Sequence, residues 1–500
     1  MEVQKTDQDV RIVSVTSEKL IAVDEGFHIA SELQEEEFHL VPEKERRLVR
    51  KIDLYIIPMM CALMSCLLMD KSTNSYASIM GLRKDLGMST RTYSWAGSTY
   101  YLAYLICEYP ANLILQKLPL GRVLAFAVIM WGIIVCLHAT SFNSTGFLVC
   151  RAALGVFESF MHPSFMIVTS QWYKKDEQFI RSAYWLGFQG FGTMVGSGIA
   201  YGIYHNQDTY SIASWKLLYI ITGSITIGFG ILTLWFPSSP ATAWFLTEDE
   251  KKMCILRVQN NRTGLGNKQF KWNQALEALY DPCLYLYFFY MFGYGISNGA
   301  LGTFGGILFD DKFEFSVGES LLLNMPGSGI DIVFPLLFAY LAKYVVKSRL
   351  AVSAFINIGN LIGLCLLAFC LNNRYAMMVG YYLNYWCTAG WACMSSMITS
   401  NVAGHSKKVV FNTLFLIGFS AGNIVGPQTY IESEAPVYSS SAYAMVGTAV
   451  MQTIAPIALY FIYFYRNKTK SNDVQDLCDD LTLSFGDITD MKNPKFQYVL

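Results

Sequence analysis

Twelve stretches of mostly apolar residues recur along this chain. They run 52–70, 93–115, 121–138, 146–170, 181–204, 215–236, 282–309, 319–342, 350–371, 375–400, 409–428 and 443–465. A helix needs roughly 20 such residues to cross hydrocarbon. Inside lipid every backbone N–H and C=O must find an internal partner, so segments of this kind are helices. The expected fold is therefore all-α, with twelve transmembrane helices. Only 15% of the residues are charged, against about 25% in soluble domains, so much of the surface faces something other than water. The partner implied is the lipid bilayer. A net charge of −1 gives no footprint for nucleic acid.

Lys and Arg fix the orientation, because cytosolic segments carry an excess of them. With the N-terminus in the cytosol, the segments on that side carry 24 basic residues near the spans, beginning with Lys44, Arg46, Arg47, Arg50 and Lys51. The opposite side carries 6: Lys71, Arg83, Lys84, Arg91, Lys312 and Arg374. Both termini are expected in the cytosol. No apolar stretch precedes the basic cluster, so no cleavable signal peptide is expected.

The polar loop 237–281 is the longest between spans and separates 185 residues (52–236) from 184 (282–465). The expected organisation is a disordered tail 1–50, a six-helix half 51–236, the cytosolic loop 237–281, a second half 282–465 and a cytosolic tail 466–500. Two such halves bind a solute between them, near the bilayer midplane. The sequence alone does not demonstrate an internal repeat. Gly192 and Gly196, and Gly418, Gly422 and Gly426, stand at the spacing of close helix contact. The twelve cysteines show neither C-x-x-C nor a metal-binding pattern and read as apolar packing residues. No metal site and no cofactor is expected.

Ionisable groups within a span cost about 2.5–3.5 kcal/mol on the insertion scale and face a cavity or a partner. Here they cluster. Asp70 and Lys71 end the first span. Arg151 and Glu158 lie seven residues apart on one face of the fourth, with Gly155 between them, and His162 follows before Pro163. Glu108 precedes Pro110 in the second span, and Asp331 is near the middle of the eighth. The plain reading of Arg151 and Glu158 is an ion pair that fixes packing. Apolar residues would do that at lower cost, which favours a working pair. A carboxylate beside a cation in a dry cavity holds or releases its proton according to whether an anion is present. For His162 the plain reading is a helix bend, for Glu108 an inter-helix contact.

Several stretches closely resemble one family: Ile106–Gln116 (ICEYPANLILQ), Arg151–Pro163 (RAALGVFESFMHP), Trp244–Glu250 (WFLTEDE), Phe270–Pro282 (FKWNQALEALYDP), Ser400–His405 (SNVAGH) and Gly418–Gln428 (GFSAGNIVGPQ). Together they resemble the fungal allantoate permease family, an anion:cation symporter branch of the major facilitator superfamily, over residues 45–470. The resemblance implies proton-coupled uptake of a small organic anion or vitamin-like metabolite: allantoate, ureidosuccinate, nicotinate, pantothenate, biotin, a sulfur compound or a dipeptide. By similarity to bacterial sugar-acid/proton symporters of the branch, Asp70 and Glu158 would carry protons, with Lys71 and Arg151 as charge partners. Lys71 stands where those symporters have Arg, which loses bidentate carboxylate geometry. Tyr104, Gln189 and Asn423 resemble substrate-side positions, and Trp391 is expected beside them. Glu108, His162 and Asp331 are accessory candidates. The expected partner is a small anionic solute, the coupling ion a proton, the working unit a monomer, and the location the plasma membrane, with an internal membrane as the alternative. A membrane sensor, a polytopic enzyme, and a uniporter or exchanger are the rival classes.

Overall fold

The computed structural model describes residues 42–259, 271–313, 315–435, 437–473, 489–493 and 496–500. Among these there is no strand. In chain order the helices used below are α1 Pro42–Ala77, α2 Thr90–Lys117, α3 Leu120–His138, α4 Ser144–Glu158, α5 Met161–Trp172, α6 Lys175–Gly187, α7 Gln189–His205, α8 Ser214–Thr233, α9 Glu248–Gln259 and α10 Trp272–Tyr280. They continue with α11 Pro282–Ile307, α12 Asn324–Tyr340, α13 Arg349–Phe369, α14 Arg374–Asn384, α15 Cys387–Asn401, α16 His405–Gln428 and α17 Ser439–Asp473.

Among the described residues, seven helical runs are long and apolar enough to cross a membrane: Glu43–Asp85, Leu120–His138, Ser214–Thr233, Val317–Val345, Arg349–Phe369, His405–Gln428 and Ser439–Lys470. The other five expected spans are helical as well. Three of these are broken in the middle, between α4 and α5, α6 and α7, and α14 and α15. The first break has a covalent cause. Pro163 has no N–H to give, and α5 restarts with Ser164 donating to the carbonyl of Phe160 at 3.2 Å. At the second, the Ser65 hydroxyl donates to the carbonyl of Phe188 at 2.9 Å. A side chain of α1 thus satisfies the backbone at the break.

The structure moves two boundaries. The helix begins at Pro42, inside the segment expected as a tail; residues 1–41 lie outside the described residues. The first span does not end at Asp70. Its helix continues to Ala77 and through a wider π turn, Ser78–Leu82. Asp70 and Lys71 therefore lie within the helix. The apolar run stops at the first charge, but a helix whose charges point into protein has no reason to stop there.

The internal repeat missing from the sequence is present in the packing. In the first half α1 packs on α7, α2 on α4, and α3 on α8; in the second, α11 packs on α16, α12 on α15, and α13 on α17. In span order each half pairs first with fifth, second with fourth and third with sixth. Between the halves α2 packs on α16 and α7 on α12, and exchanging the halves maps one contact onto the other. Of the expected glycines, Gly192, Gly418, Gly422 and Gly426 meet a neighbouring backbone closely, whereas at Gly196 the nearest atom to an added Cβ is a Met69 side-chain carbon at 3.2 Å. A Cβ at Gly192 would lie 1.8 Å from the carbonyl oxygen of Ser65, and one at Gly422 2.2 Å from that of Phe292.

The repeat extends to charge. At the end of the bundle where α1 begins, here the proximal end, Glu45 accepts from Lys174 at 2.5 Å and from Arg257 at 2.9 Å. In the second half the wholly buried Lys407 meets Glu277 and Asp281 at 3.2 Å each and Asp490 at 2.9 Å. In both halves a cation from the turn between the fourth and fifth spans meets an acid that precedes the first span. Residues 489–493 and 496–500 add a strap over this second cluster. The Asn401 amide pairs with the backbone of Val499 through two bonds of 2.8 Å, and Asn467 does the same with Tyr498. Tyr498 stacks on Tyr463 at 5.1 Å.

Asp281 lies just outside the membrane-spanning segments. Burial pushes its carboxyl up, but the Arg466 hydrogen bond, with the charges of Arg466 and Lys407, outweighs burial and holds it below the ordinary carboxylate range. Its contribution to stability is therefore present above the unfolded value of about 4 and is lost as pH falls through the lower folded value. Removing Lys407 takes the shared cation from three carboxylates, of which Asp281 keeps Arg466. Lys407→Met is expected to destabilise the protein by on the order of 3 kcal/mol, read as a lower melting temperature in detergent at neutral pH; an unchanged melting temperature would contradict this account of the cluster.

Candidate functional site

A cavity of about 160 Å³ lies between the halves. Hydrogen bonds between the halves gather on its distal side. The Tyr93 hydroxyl donates to the carbonyl of Thr303 at 2.9 Å, and Ser98 donates to the carbonyl of Ile424 at 2.7 Å. The Gly306 amide donates to the Ser75 hydroxyl at 2.8 Å. An aromatic group lies nearer the proximal end. Trp391 stacks on Phe419 at 5.7 Å and meets His162 edge-on at 5.5 Å.

The first-half wall carries charge. Lys71 and Arg151 both line the cavity. The Lys71 ammonium sits over the rings of Tyr100 and Tyr101, 5.2 and 5.3 Å from their centres. The Tyr100 hydroxyl donates to one oxygen of Glu158, while the other oxygen is buried without a partner. Arg151 is buried, donates to the Tyr219 hydroxyl at 3.3 Å and lies over Phe147 at 5.5 Å. Its Nε has no partner. Among the described residues, Lys71, Arg151 and Glu158 form no ion pair. The simple packing pair between Arg151 and Glu158 is thus not what this helix face holds. The charges are spaced and held by tyrosines.

One backbone contact sets that geometry. α2 and α4 meet at Gly155, where a Cβ would lie 2.2 Å from the carbonyl oxygen of Tyr100. Only a residue without a side chain lets the helices come this close, and the approach brings the Tyr100 hydroxyl onto Glu158.

The other expected residues divide by helix face. Gln189 and Asp331 line the cavity, with Gln189 Nε2 and one Asp331 oxygen unpartnered. Asp70 is buried but outside the lining; it accepts from the Thr226 hydroxyl at 3.0 Å, and its other oxygen has no partner. Adjacent helical residues point about 100° apart, so Lys71 faces the cavity and Asp70 faces α8. Tyr104, Trp391 and Asn423 also lie outside the lining. The Tyr104 ring is 6.3 Å from that of Tyr100. Asn423 donates to the carbonyl of Phe419 at 2.8 Å within the contact between α11 and α16. Glu108 is buried toward the proximal end of α2, with one oxygen unpartnered. Sequence reasoning missed Tyr100, Tyr101 and Tyr219. A triad of charges on two spans needs neutral donors around it, and that was the available signal.

The sequence profile described as Major Facilitator Superfamily matches residues 59–462. The chain belongs to that superfamily. It is 36% identical over 96% of its length to the allantoate permease of Saccharomyces cerevisiae, covering 90% of that protein, which places it in the allantoate permease family. An uncharacterized transporter of Schizosaccharomyces pombe is also 36% identical, over 96% of this chain and 94% of the relative. A thiamine pathway transporter of Saccharomyces cerevisiae is 28% identical over 93% of this chain and 88% of the relative. Among solved structures, a bacterial homolog of the human lysosomal transporter Spinster, inward-facing and unoccupied, shares the fold with a TM-score of 0.60. It is 13% identical, and the match covers 82% of this chain and 96% of that one. The chain is an integral, multi-pass membrane transporter, not an enzyme.

The contact at Gly155 is directly testable. Gly155→Ala must push two backbones apart and is expected to cost about 1–3 kcal/mol, seen as a lower melting temperature. Gly228→Ala, where an added Cβ meets nothing within 4 Å, is the control and is expected to be near neutral. Equal behaviour of the two variants would remove Gly155 from the account.

Proposed function

We propose that this transporter takes up a small organic anion together with protons, by alternating access between two six-span halves. Twelve spans and a cytosolic proximal end complete the reading. The excess of Lys and Arg at the proximal end supports that orientation, and the plasma membrane is the location proposed. The observation that carries the proposal is the unpaired charge in the cavity. Lys71 on the cavity wall has an aromatic cradle but no carboxylate, and Glu158, wholly buried and outside the lining, has one tyrosine donor and one free oxygen.

The chemistry follows from charge balance. A proton on the free oxygen of Glu158 neutralises it while the Tyr100 bond is kept. Lys71 and Arg151 are then left as an uncompensated positive wall, and an anion completes it. In the low dielectric of the cavity this compensation is strong, so proton and anion favour each other's binding. With both bound the wall carries one net positive charge instead of two, and the halves can rock. Opposite the membrane, loss of the anion restores the attraction between Glu158 and the cations, and the proton leaves. Gln189 orients the solute. Trp391 and His162 close the cavity toward the cytosol, with Tyr104 behind Tyr100, Asn423 behind Phe419, and Glu108 along the exit. Asp70, off the cavity, is the second proton carrier of this scheme. One proton with a monoanion moves no net charge; a second adds about 2.3 kcal/mol of drive per 100 mV.

The substrate class follows the relatives and the charge of the wall: an organic monoanion of metabolite size, with allantoate and nicotinate as first candidates. The test is uptake of labelled allantoate, ureidosuccinate, nicotinate, pantothenate and biotin by expressing cells at about pH 5 and about pH 7.5, with Glu158→Gln alongside. One anion is expected to accumulate several-fold more at the lower pH and to lose that accumulation in the variant. Uptake indifferent to both pH and Glu158 would replace coupling with a uniporter or exchanger.

A further inference from the structure

We infer that Gln452 is a specificity-determining residue: it reads a neutral group of the solute that both donates and accepts hydrogen bonds, such as a carboxamide or ureide. The inference rests on the reading of the cavity as an anion site.

Gln452 belongs to α17, the last helix of the second half, which packs on α11 and α13. It is wholly buried and lines the cavity, and neither its Nε2 nor its Oε1 has a hydrogen-bond partner. Gly293 opens the way. A Cβ there would lie 3.2 Å from Gln452 Cγ and 3.3 Å from its Nε2, so any larger residue at 293 would crowd the amide. One turn further along α11, Ser297 also lines the cavity with its hydroxyl unpartnered.

A buried amide with both ends unmet is costly unless something completes it. A side chain that accepts with one atom and donates with the other is matched by another amide-like group. A second carboxylate offers acceptors only, so it would meet the Gln452 Nε2 and leave the Oε1 unmet. The cavity therefore has an anion-binding wall (Lys71, Arg151) and a neutral amide-reading wall (Gln452, Ser297). The solute that fits both is a monoanion with an amide or ureide at its other end.

Three probes of similar length separate the chemistries: succinamate (carboxylate and amide), levulinate (methyl ketone in place of the amide) and succinate (two carboxylates). Binding is read as thermal stabilisation of the purified full-length protein. The wild type is expected to half-saturate with succinamate at roughly tenfold lower concentration than with levulinate, with succinate weakest. In Gln452→Met, and in Gln452→Leu should the first fold poorly, the succinamate-to-levulinate ratio falls to near one. Equal binding of the two by the wild type, or a preference that survives both substitutions, overturns the role of Gln452 while leaving the anion site standing. If no probe binds, or if binding is untouched by Lys71→Met, the anion-site reading falls, and this inference with it.

Discussion

The backbone contact between α2 and α4 at Gly155 carries the geometry on which the site depends. It fixes the distance between two spans of one half, and so holds the Tyr100 hydroxyl on Glu158 and the Tyr100 ring beneath Lys71. Two opposite charges in a low-dielectric cavity would otherwise collapse onto each other. A collapsed pair is satisfied and inert. Tyrosines between and around the charges keep each one partly satisfied and open to change. In the proposed mechanism a proton reaches one and an anion the other.

The same logic is reversed at the proximal ends. There the charges are paired tightly, with Glu45 on Lys174 and Arg257, and Lys407 on three carboxylates. These clusters tie the turn between a half's fourth and fifth spans to the start of its first span. Paired charge ties each half together at its proximal end, and the unpaired charge lies between the halves, where the proposed coupling would act. Among the described residues, the strap of 489–493 and 496–500 lies on the second cluster.

Much of this was legible in the sequence, for definite reasons. Hydropathy located the seven helices long and apolar enough to cross a membrane, and the other five apolar stretches are helical too, three of them broken. Lys71, Arg151 and Glu158 stood out because charge within a span is expensive. Asp70 looked equivalent to Lys71, and only the rotation of the helix separates a cavity residue from one facing α8. Tyr100 was hidden among many similar rings: Tyr100, Tyr101 and Tyr104 sit within five residues, and no local pattern says which one reaches a carboxylate. Gln452 was hidden for the opposite reason, being a neutral residue on a span with no other visible signal. The repeat was invisible because the two halves share pairings of helices, not residues.

The central claim is that Glu158 carries the proton that accompanies the solute. Purified protein in liposomes loaded with a pH-sensitive dye tests it most directly, with the transported anion added outside at equal pH and clamped voltage. The account predicts that the lumen acidifies on addition of the anion in the wild type. It predicts no acidification in Glu158→Gln, although that variant still exchanges labelled for unlabelled anion. Anion-driven acidification that persists in Glu158→Gln would contradict the account and move the proton elsewhere in the protein.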